Sequence, residues 1–390
     1  MQAGPHRAFA GSTTIATAAI GCLQPGIDPV FLTILSAAHG LDPLRHGWIV
    51  GATQGGMALG ALAVWRYRHA LPARRMVPMA AGFAFLCGIA TALFGDFAAL
   101  LLIRGLFGLA MGVIYTDAMS EAAARRPTTA YAAVFLAQLL LSTAVALLLP
   151  FVSDAVSPRA ALVALTAGPL VIAGLALTAR PWARILSGAP PFPAPGGTSV
   201  PPAAWALAAA AFAFICATML VWSFTGALAA GEGLDEEVIG FGVALGSVVG
   251  ALTAIAVMRE RPLVPLPLTG LLAGLCLLSP LVLIPLGGST PFIGAVLLLN
   301  IGSTAIIIRC SGAATAASGD PLFRRFVACT HPLGMIAGPV LGAVMAGAAG
   351  RPGLEAGALS VLVAAMAALL FARRQVPVAT GAGAGQGVAA

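Results

Sequence analysis

Charge is what this chain has least of. Only 8% of its 390 residues are acidic or basic, against roughly 25% in an average soluble domain. So few solvated side chains cannot cover the water-facing surface of a globule this size, which excludes a soluble enzyme, a disordered tail and a fibrous repeat. Lysine is absent: all 20 basic residues are Arg, a base-composition bias without mechanistic weight. Cysteine pairing is absent too. Cys22, Cys87, Cys216, Cys276, Cys310 and Cys329 fall in six separate apolar stretches with no C-x-x-C, so neither a zinc site nor a disulfide framework is indicated, and packed, inert thiols are expected. Aromatic residues are sparse, with three Tyr and five Trp, which argues against the stacking surface of a sugar site. No Gly-x-x-x-x-Gly-Lys-Ser/Thr occurs, so ATP-driven transport by this chain is not supported. No His, Cys or carboxylate cluster suggests an intramembrane enzyme, and no cofactor or metal is implied.

What the sequence does have is apolar length. Hydrophobic residues make up 59% of it. A helix that crosses a bilayer needs about 20 mostly apolar residues. Twelve such runs are legible, at 8–36, 47–65, 76–95, 98–123, 129–150 and 159–179, then 203–229, 238–258, 264–286, 291–315, 325–348 and 354–372. The first run follows His6-Arg7 like a signal peptide but is too long for one. The net charge of +7 does not point to nucleic acid, because the arginines are spread through short loops. With the N-terminus inside, the inner loops hold Arg7, Arg66, Arg68, Arg74, Arg75, Arg125, Arg126, Arg180, Arg184, Arg259, Arg261, Arg324, Arg325, Arg373 and Arg374. The outer loops hold only Arg45, Arg159 and Arg351. That asymmetry predicts a multi-pass protein of the inner (plasma) membrane with both termini cytoplasmic.

The two halves echo each other. At one constant shift, Gly40-Leu41-Asp42 falls on Gly233-Leu234-Asp235, Gly47 on Gly240, and Arg66 and Arg68 on Arg259 and Arg261. A fainter echo sets Arg125-Arg126 opposite Arg324-Arg325. The predicted organisation is an N-terminal six-helix bundle (1–179), a Pro/Gly-rich cytoplasmic linker (180–202), a C-terminal six-helix bundle (203–374) and a disordered Gly/Ala tail (375–390). The fold class is thus an all-α membrane protein of 12 transmembrane helices, with two bundles related by a pseudo-twofold axis along the membrane normal.

This layout, with two local patterns, resembles the major facilitator superfamily over nearly the whole chain. The loop 65–75, Trp-Arg-Tyr-Arg-His-Ala-Leu-Pro-Ala-Arg-Arg, keeps the terminal Arg pair (Arg74, Arg75) of the family's Gly-x-x-x-Asp-x-x-Gly-Arg-Arg but not its Asp or glycines. Arg104, Gly108 and Gly112 match the family's Arg-x-x-x-Gly-x-x-x-Gly helix. Gly105, Gly108 and Gly112, with Gly338 and Gly342 around Pro339, are expected to pack helices closely. The drug-exporter Gly-Pro signature is missing from 129–150, so no subfamily is assigned. The resemblance implies alternating access to a central cavity.

Ionisable groups in hydrocarbon cost roughly 2.5–3.5 kcal/mol on insertion scales and therefore need a cavity, a partner or a helix end. Asp28 lies in Gln24-Pro25-Gly26-Ile27-Asp28-Pro29, where the helix should break. It is either a proton carrier at a broken helix or a cap on a helix that stops near Gly26. Arg104 reads as an anion ligand, as the counter-charge to Asp28, or as a snorkelling side chain. Arg309 is a cavity residue if its helix continues past Ser311, and otherwise one more inner-loop arginine. His331 is a candidate proton relay or a structural histidine. With Met335 it makes too few ligands for copper. Gln24, Gln54, Gln138 and Asn300 bind solute or bridge helices. Asp117 and Glu121 are expected to pair with Arg125 and Arg126 at a cytoplasmic gate that includes Arg324 and Arg325. The acidic cluster Glu232, Asp235, Glu236 and Glu237 reads as solvated outer loop.

These residues predict a monomeric secondary transporter for a small organic solute, leaning anionic and proton-coupled. A metabolite or drug efflux pump and a non-transporting sensor or scaffold of the same fold remain as alternatives.

Overall fold

The structure is a computed structural model that describes residues 5–42, 45–68, 75–187, 199–258 and 264–375. Arg74, Arg259, Arg261, the central part of the linker and the tail from 376 lie outside the described residues.

The described chain is all α. The N-terminal half runs α1 (Pro5–Gly21), α2 (Gln24–His39), α3 (His46–Tyr67), α4 (Met76–Leu93), α5 (Phe97–Ala122), α6 (Pro127–Ala155), α7 (Pro158–Ala164) and α8 (Ala167–Ser187). The C-terminal half runs α9 (Pro202–Gly231), α10 (Glu236–Val257), α11 (Leu266–Leu283), α12 (Ser289–Ala316) and α13 (Pro321–Gln375). Ten helical stretches are long and apolar enough to cross a membrane, or up to 11 if the bent pair α1–α2 is one span. α13 is two arms, because Ala349 and Gly350 leave helical geometry. A Cβ on Gly357 would touch the Met345 side chain at 3.1 Å, so the second arm folds back along the first. The twelve apolar runs all find helices on this count.

The chain departs from expectation at three boundaries. The first run is not one helix: it breaks at Cys22–Leu23 and bends by 43°. Pro25, in the first turn of α2, has no N–H to bond back across that gap. The second departure is from the cap alternative alone: α2 continues to His39, past Asp28 and through Pro29, as the broken-helix alternative has it. Asp28 is consequently no terminal cap. The third is that α8 carries helix to Ser187, past the expected linker start at 180.

The sequence echo has a backbone counterpart. Gly40 (φ 65°) and Gly233 (φ 77°) both adopt left-handed geometry, each just after a helix that precedes the repeated segment. Asp96 caps α5 by accepting from the Ala99 N–H at 2.9 Å, and Ser157 caps α7 by accepting from the Ala160 N–H at 3.1 Å.

Within the N-terminal half, α3 and α4 pack on α5, and α1 packs on α5, α6 and α8. Within the C-terminal half, α9 packs on α12 and α13, and α12 on α10 and α11. The halves meet along a seam where α6 touches α10 and α12, while α3 and α5 touch α13.

Candidate functional site

The α1–α2 break brings a polar network into the N-terminal half. Asp28, on α2, is 9% exposed and accepts a hydrogen bond from Gln24 Nε2 at 2.8 Å. The Gln54 side chain of α3 faces the same carboxylate. Arg104 of α5 is 2% exposed, so it does not snorkel to an interface. Its Nε donates to Thr53 Oγ1 at 3.2 Å, and its guanidinium lies 4.4 Å from the ring centroids of both Phe31 and Phe107. Each cation–π contact of a desolvated arginine contributes about 1–2 kcal/mol. Asp28 and Arg104 feel each other's charge but form no ion pair of 4 Å or less among the described residues. The carboxyl of Asp28 and the guanidinium of Arg104 are therefore buried near each other without an ion pair, each held by neutral neighbours. Gln138 of α6 lies next to this network: its Nε2 is 4.0 Å from where a Gly26 Cβ would stand, and Ser142 is nearer still.

Arg309 is not part of this grouping. Its helix continues to Ala316, and its Nη1 donates to Thr269 Oγ1 near the start of α11. It bridges two helices of the C-terminal half. Asn300 Nδ2 donates to Val296 O at 2.9 Å, and its side chain fills the space beside Gly246 of α10.

His331 sits on the seam. Its ring centroid is 5.7 Å from Tyr115 of α5 and 5.4 Å, edge-on, from Phe135 of α6. Its Nδ1 is buried without a hydrogen-bond partner among the described residues, as is the hydroxyl of Tyr115. Nearby, Cys329 Sγ donates to Ala61 O at 3.2 Å, and Trp65 packs on Phe326 at 5.4 Å. All these contacts join the two halves, and they end at an arginine-rich face. There Arg68 Nε bonds Asp117 Oδ1 at 2.6 Å, Arg325 lies within reach of Asp117's charge, and Arg324 within reach of Glu121's. Asp117 is thus held by Arg68, a partner the sequence did not single out, while Arg125 and Arg126 are exposed. Arg75 is the residue before α4.

Towards the opposite end the facing sides of α3 and α13 become exposed. Gly55 of α3 still meets Ile336 Cδ1, at 3.2 Å from its would-be Cβ. Trp48, two turns earlier on the same face of α3, is 68% exposed. Val340 and Val344, further along α13, are 57% and 62% exposed. Along α3 and α13 the contact between the halves runs from Gly55–Ile336 to the arginine-rich face, and the side chains Trp48, Val340 and Val344 beyond it are exposed.

The glycines explain how close α3 and α5 come. A Cβ on Gly108 would strike the Thr53 carbonyl, one on Gly112 the Met57 carbonyl, and one on Gly56 or Gly60 the backbone of α5. Gly338 stands against the backbone of α9 at Cys216 and Leu220, and Gly342 against Phe224. Sequence reasoning named only one side of the α3–α5 pair. Gly56 and Gly60 carry the small-xxx-small spacing that marks the other. Thr53, Tyr115 and Tyr131 were also missed, since single polar residues in apolar runs carry no spacing signal.

No family model matches the chain, and no curated protein matches it in sequence. Solved structures do match in shape. The human organic anion transporter MFSD10 (TETRAN) superposes with a TM-score of 0.66 at 16% identity, over 94% of this chain and 100% of that one. A bacterial homologue of the iron transporter ferroportin, in an outward-facing state, superposes with a TM-score of 0.69 at 12% identity, over 94% and 99%. At such identities the likeness is one of fold, and the fold is that of the major facilitator superfamily.

Proposed function

We propose that this chain is a secondary active transporter that moves a small organic solute, anionic in character, across the inner membrane by alternating access with proton coupling. The observation that carries the reading is the Asp28–Arg104 network. A carboxylate and a guanidinium buried in an apolar bundle are costly, and they persist where changes in their charge are used. In this reading Asp28 carries the proton and Arg104 answers its charge. Gln24 and Gln138 line the solute path beside the broken span, and His331 with Asn300 marks its C-terminal side. Arg309, tied to Thr269, anchors helices. The two bundles, 1–179 and 203–374, move against each other with the N-terminus cytoplasmic.

The arginine-rich face is then cytoplasmic, and its packed seam is the closed inner gate. Arg68–Asp117, Arg325 and Arg324 with Glu121's charge in reach support that role, with Arg74, Arg75, Arg125 and Arg126 around them. The exposure of Trp48, Val340 and Val344 at the opposite end supports an outward-facing state. The ferroportin homologue is described in such a state, and MFSD10 is described as carrying organic anions; both fit the reading.

The test is uptake in proteoliposomes under an imposed proton gradient, screened across organic anions. The expected result is gradient-driven accumulation by the wild type that Asp28→Asn abolishes, while solute exchange without net proton flux survives. Wild-type accumulation in Asp28→Asn would remove the proton assignment. A protein that neither accumulates nor exchanges any solute would favour the sensor or scaffold reading.

A further inference from the structure

A small hollow inside the N-terminal half lies apart from the seam. It is bordered by α2, α4, α5 and the end of α7, and lined by Gln24, Phe31, Thr91, Arg104, Phe107 and Thr166. No residue of the C-terminal half borders it. It admits about one or two water-sized groups. Arg104 lines it with the rest of its guanidinium unsatisfied: the only hydrogen bond of Arg104 among the described residues runs from Nε to Thr53, and Nη2 is fully buried with no partner. A buried cation with open N–H groups strongly favours an acceptor that brings negative charge.

The neighbours narrow the choice. The hydroxyls of Thr91 and Thr166 donate to Cys87 O at 2.8 Å and Val163 O at 2.6 Å, and Gln24 spends an N–H on Asp28. The positive charge in the hollow therefore comes from Arg104 alone. A phosphate or sulfate would need more cations and more room. A carboxylate-bearing solute would need a route from the seam, and α3 and α6 contribute no lining residue. A single, weakly hydrated monovalent ion meets both limits, since it needs one cation and tolerates the apolar rims of Phe31 and Phe107.

We propose that this hollow binds a halide ion on Arg104, and that the charge of Asp28 sets the affinity. Ionised Asp28 opposes the ion as a like charge a few residues away, and neutral Asp28 admits it. The site would let the N-terminal half exchange one negative charge for another without leaving Arg104 bare.

The experiment is thermal unfolding of the purified full-length protein in gluconate buffer, titrated with chloride or bromide at constant ionic strength. It requires no transport activity. The expected result is saturable stabilisation by both halides, stronger for bromide, with several-fold tighter affinity in Asp28→Asn and no saturable response in Arg104→Gln. If Arg104→Gln does not fold, Thr166→Leu is the second variant: its longer side chain fills the hollow and should abolish the response while leaving Arg104 in place. Halide-independent melting of the wild type would assign the hollow to water and overturn the proposal. So would an undiminished response in either variant at the hollow, or no tightening in Asp28→Asn. Halide binding by a protein that carries no solute would refute the transport reading while this inference stood.

Discussion

Gly105 and Gly108 belong to the same glycine pattern on α5, yet the structure gives them opposite tolerances. A Cβ on Gly105 would stand 3.7 Å from Ala52 O, an ordinary contact. A Cβ on Gly108 would stand 2.8 Å from the Thr53 carbonyl carbon and closer still to its oxygen. Carbon atoms sit comfortably at about 3.5–4.0 Å, so α3 and α5 would have to separate by at least ~0.7 Å at that level. Backbone cannot turn aside as a side chain does, which puts Gly108→Ala near the upper end of the ~1–3 kcal/mol range for overpacking. Gly105→Ala meets no clash and gains about 0.5–1 kcal/mol of helix preference. In detergent-solubilised protein, thermal unfolding followed by fluorescence should show Gly108→Ala melting on the order of 5 °C lower, at roughly 2 °C per kcal/mol for a large chain. Gly105→Ala should melt at or above the wild-type temperature. Equal losses in the two variants, or none in Gly108→Ala, would refute the close approach of α3 and α5.

Backbone strain gives a second contrast. Gly350 (φ 60°, ψ −141°) occupies a region that only glycine reaches readily, whereas Gly40 (φ 65°, ψ 32°) is ordinary left-handed geometry. Gly350→Ala should cost about 1–3 kcal/mol and Gly40→Asn well under 1 kcal/mol, as read by the same melting assay. In a variant that retains only Cys329, the thiol should resist N-ethylmaleimide in sealed membranes, because it is buried against Ala61 across the seam; labelling as fast as that of a free thiol would contradict the closed seam. Arg309→Gln should leave gradient-driven uptake near wild type, since the side chain holds Thr269 and not the Asp28 network. Loss of coupling as complete as in Asp28→Asn would return Arg309 to the site.

Much of the fold was legible because bilayer-spanning helices announce themselves by length. The twelve runs, the Gly-Leu-Asp echo and the Arg-x-x-x-Gly helix all rest on local pattern. Their break points were less legible. The sequence placed the first break in the Pro25–Pro29 stretch; the chain breaks just before it, because a proline in the first turn of a helix interrupts the preceding turn and not its own. Asp28 and Arg104 stood out as charges in apolar runs, but their partners Gln54, Thr53, Phe31 and Phe107 come together only through tertiary packing. Arg309 looked equivalent to Arg104 in sequence. The difference lies in neighbours: Arg309 meets a threonine near a helix start, whereas Arg104 meets two aromatic faces and an unpaired hollow. Asp117 was matched to the arginines nearest in sequence, and the fold adds Arg68, just past the end of α3, which no local pattern announced.

α5 ties these features into one mechanism on the transport reading. Along its 26 residues it carries Arg104, then Gly108 and Gly112, then Tyr115, and then Asp117 and Glu121. Arg104 and Asp117 are 13 positions apart, about 20 Å at 1.5 Å per residue. Direct electrostatics over that span is weak. What connects them is the helix itself, clamped to α3 by glycines whose contacts allow almost no slip. A shift of Arg104 when Asp28 loses its charge should therefore move the Asp117 end as a rigid rod, together with Arg68 on α3. The consequence is measurable at Cys329, which touches α3 through Ala61 O. Asp28→Asn should raise maleimide labelling of Cys329 several-fold. The same change in a Gly108→Ala background, where the α3–α5 clamp is loosened, should raise it much less. Equal labelling changes in the two backgrounds would mean that the signal does not travel through the α3–α5 rod, and the seam would then have to sense Asp28 through α1 and α6 instead.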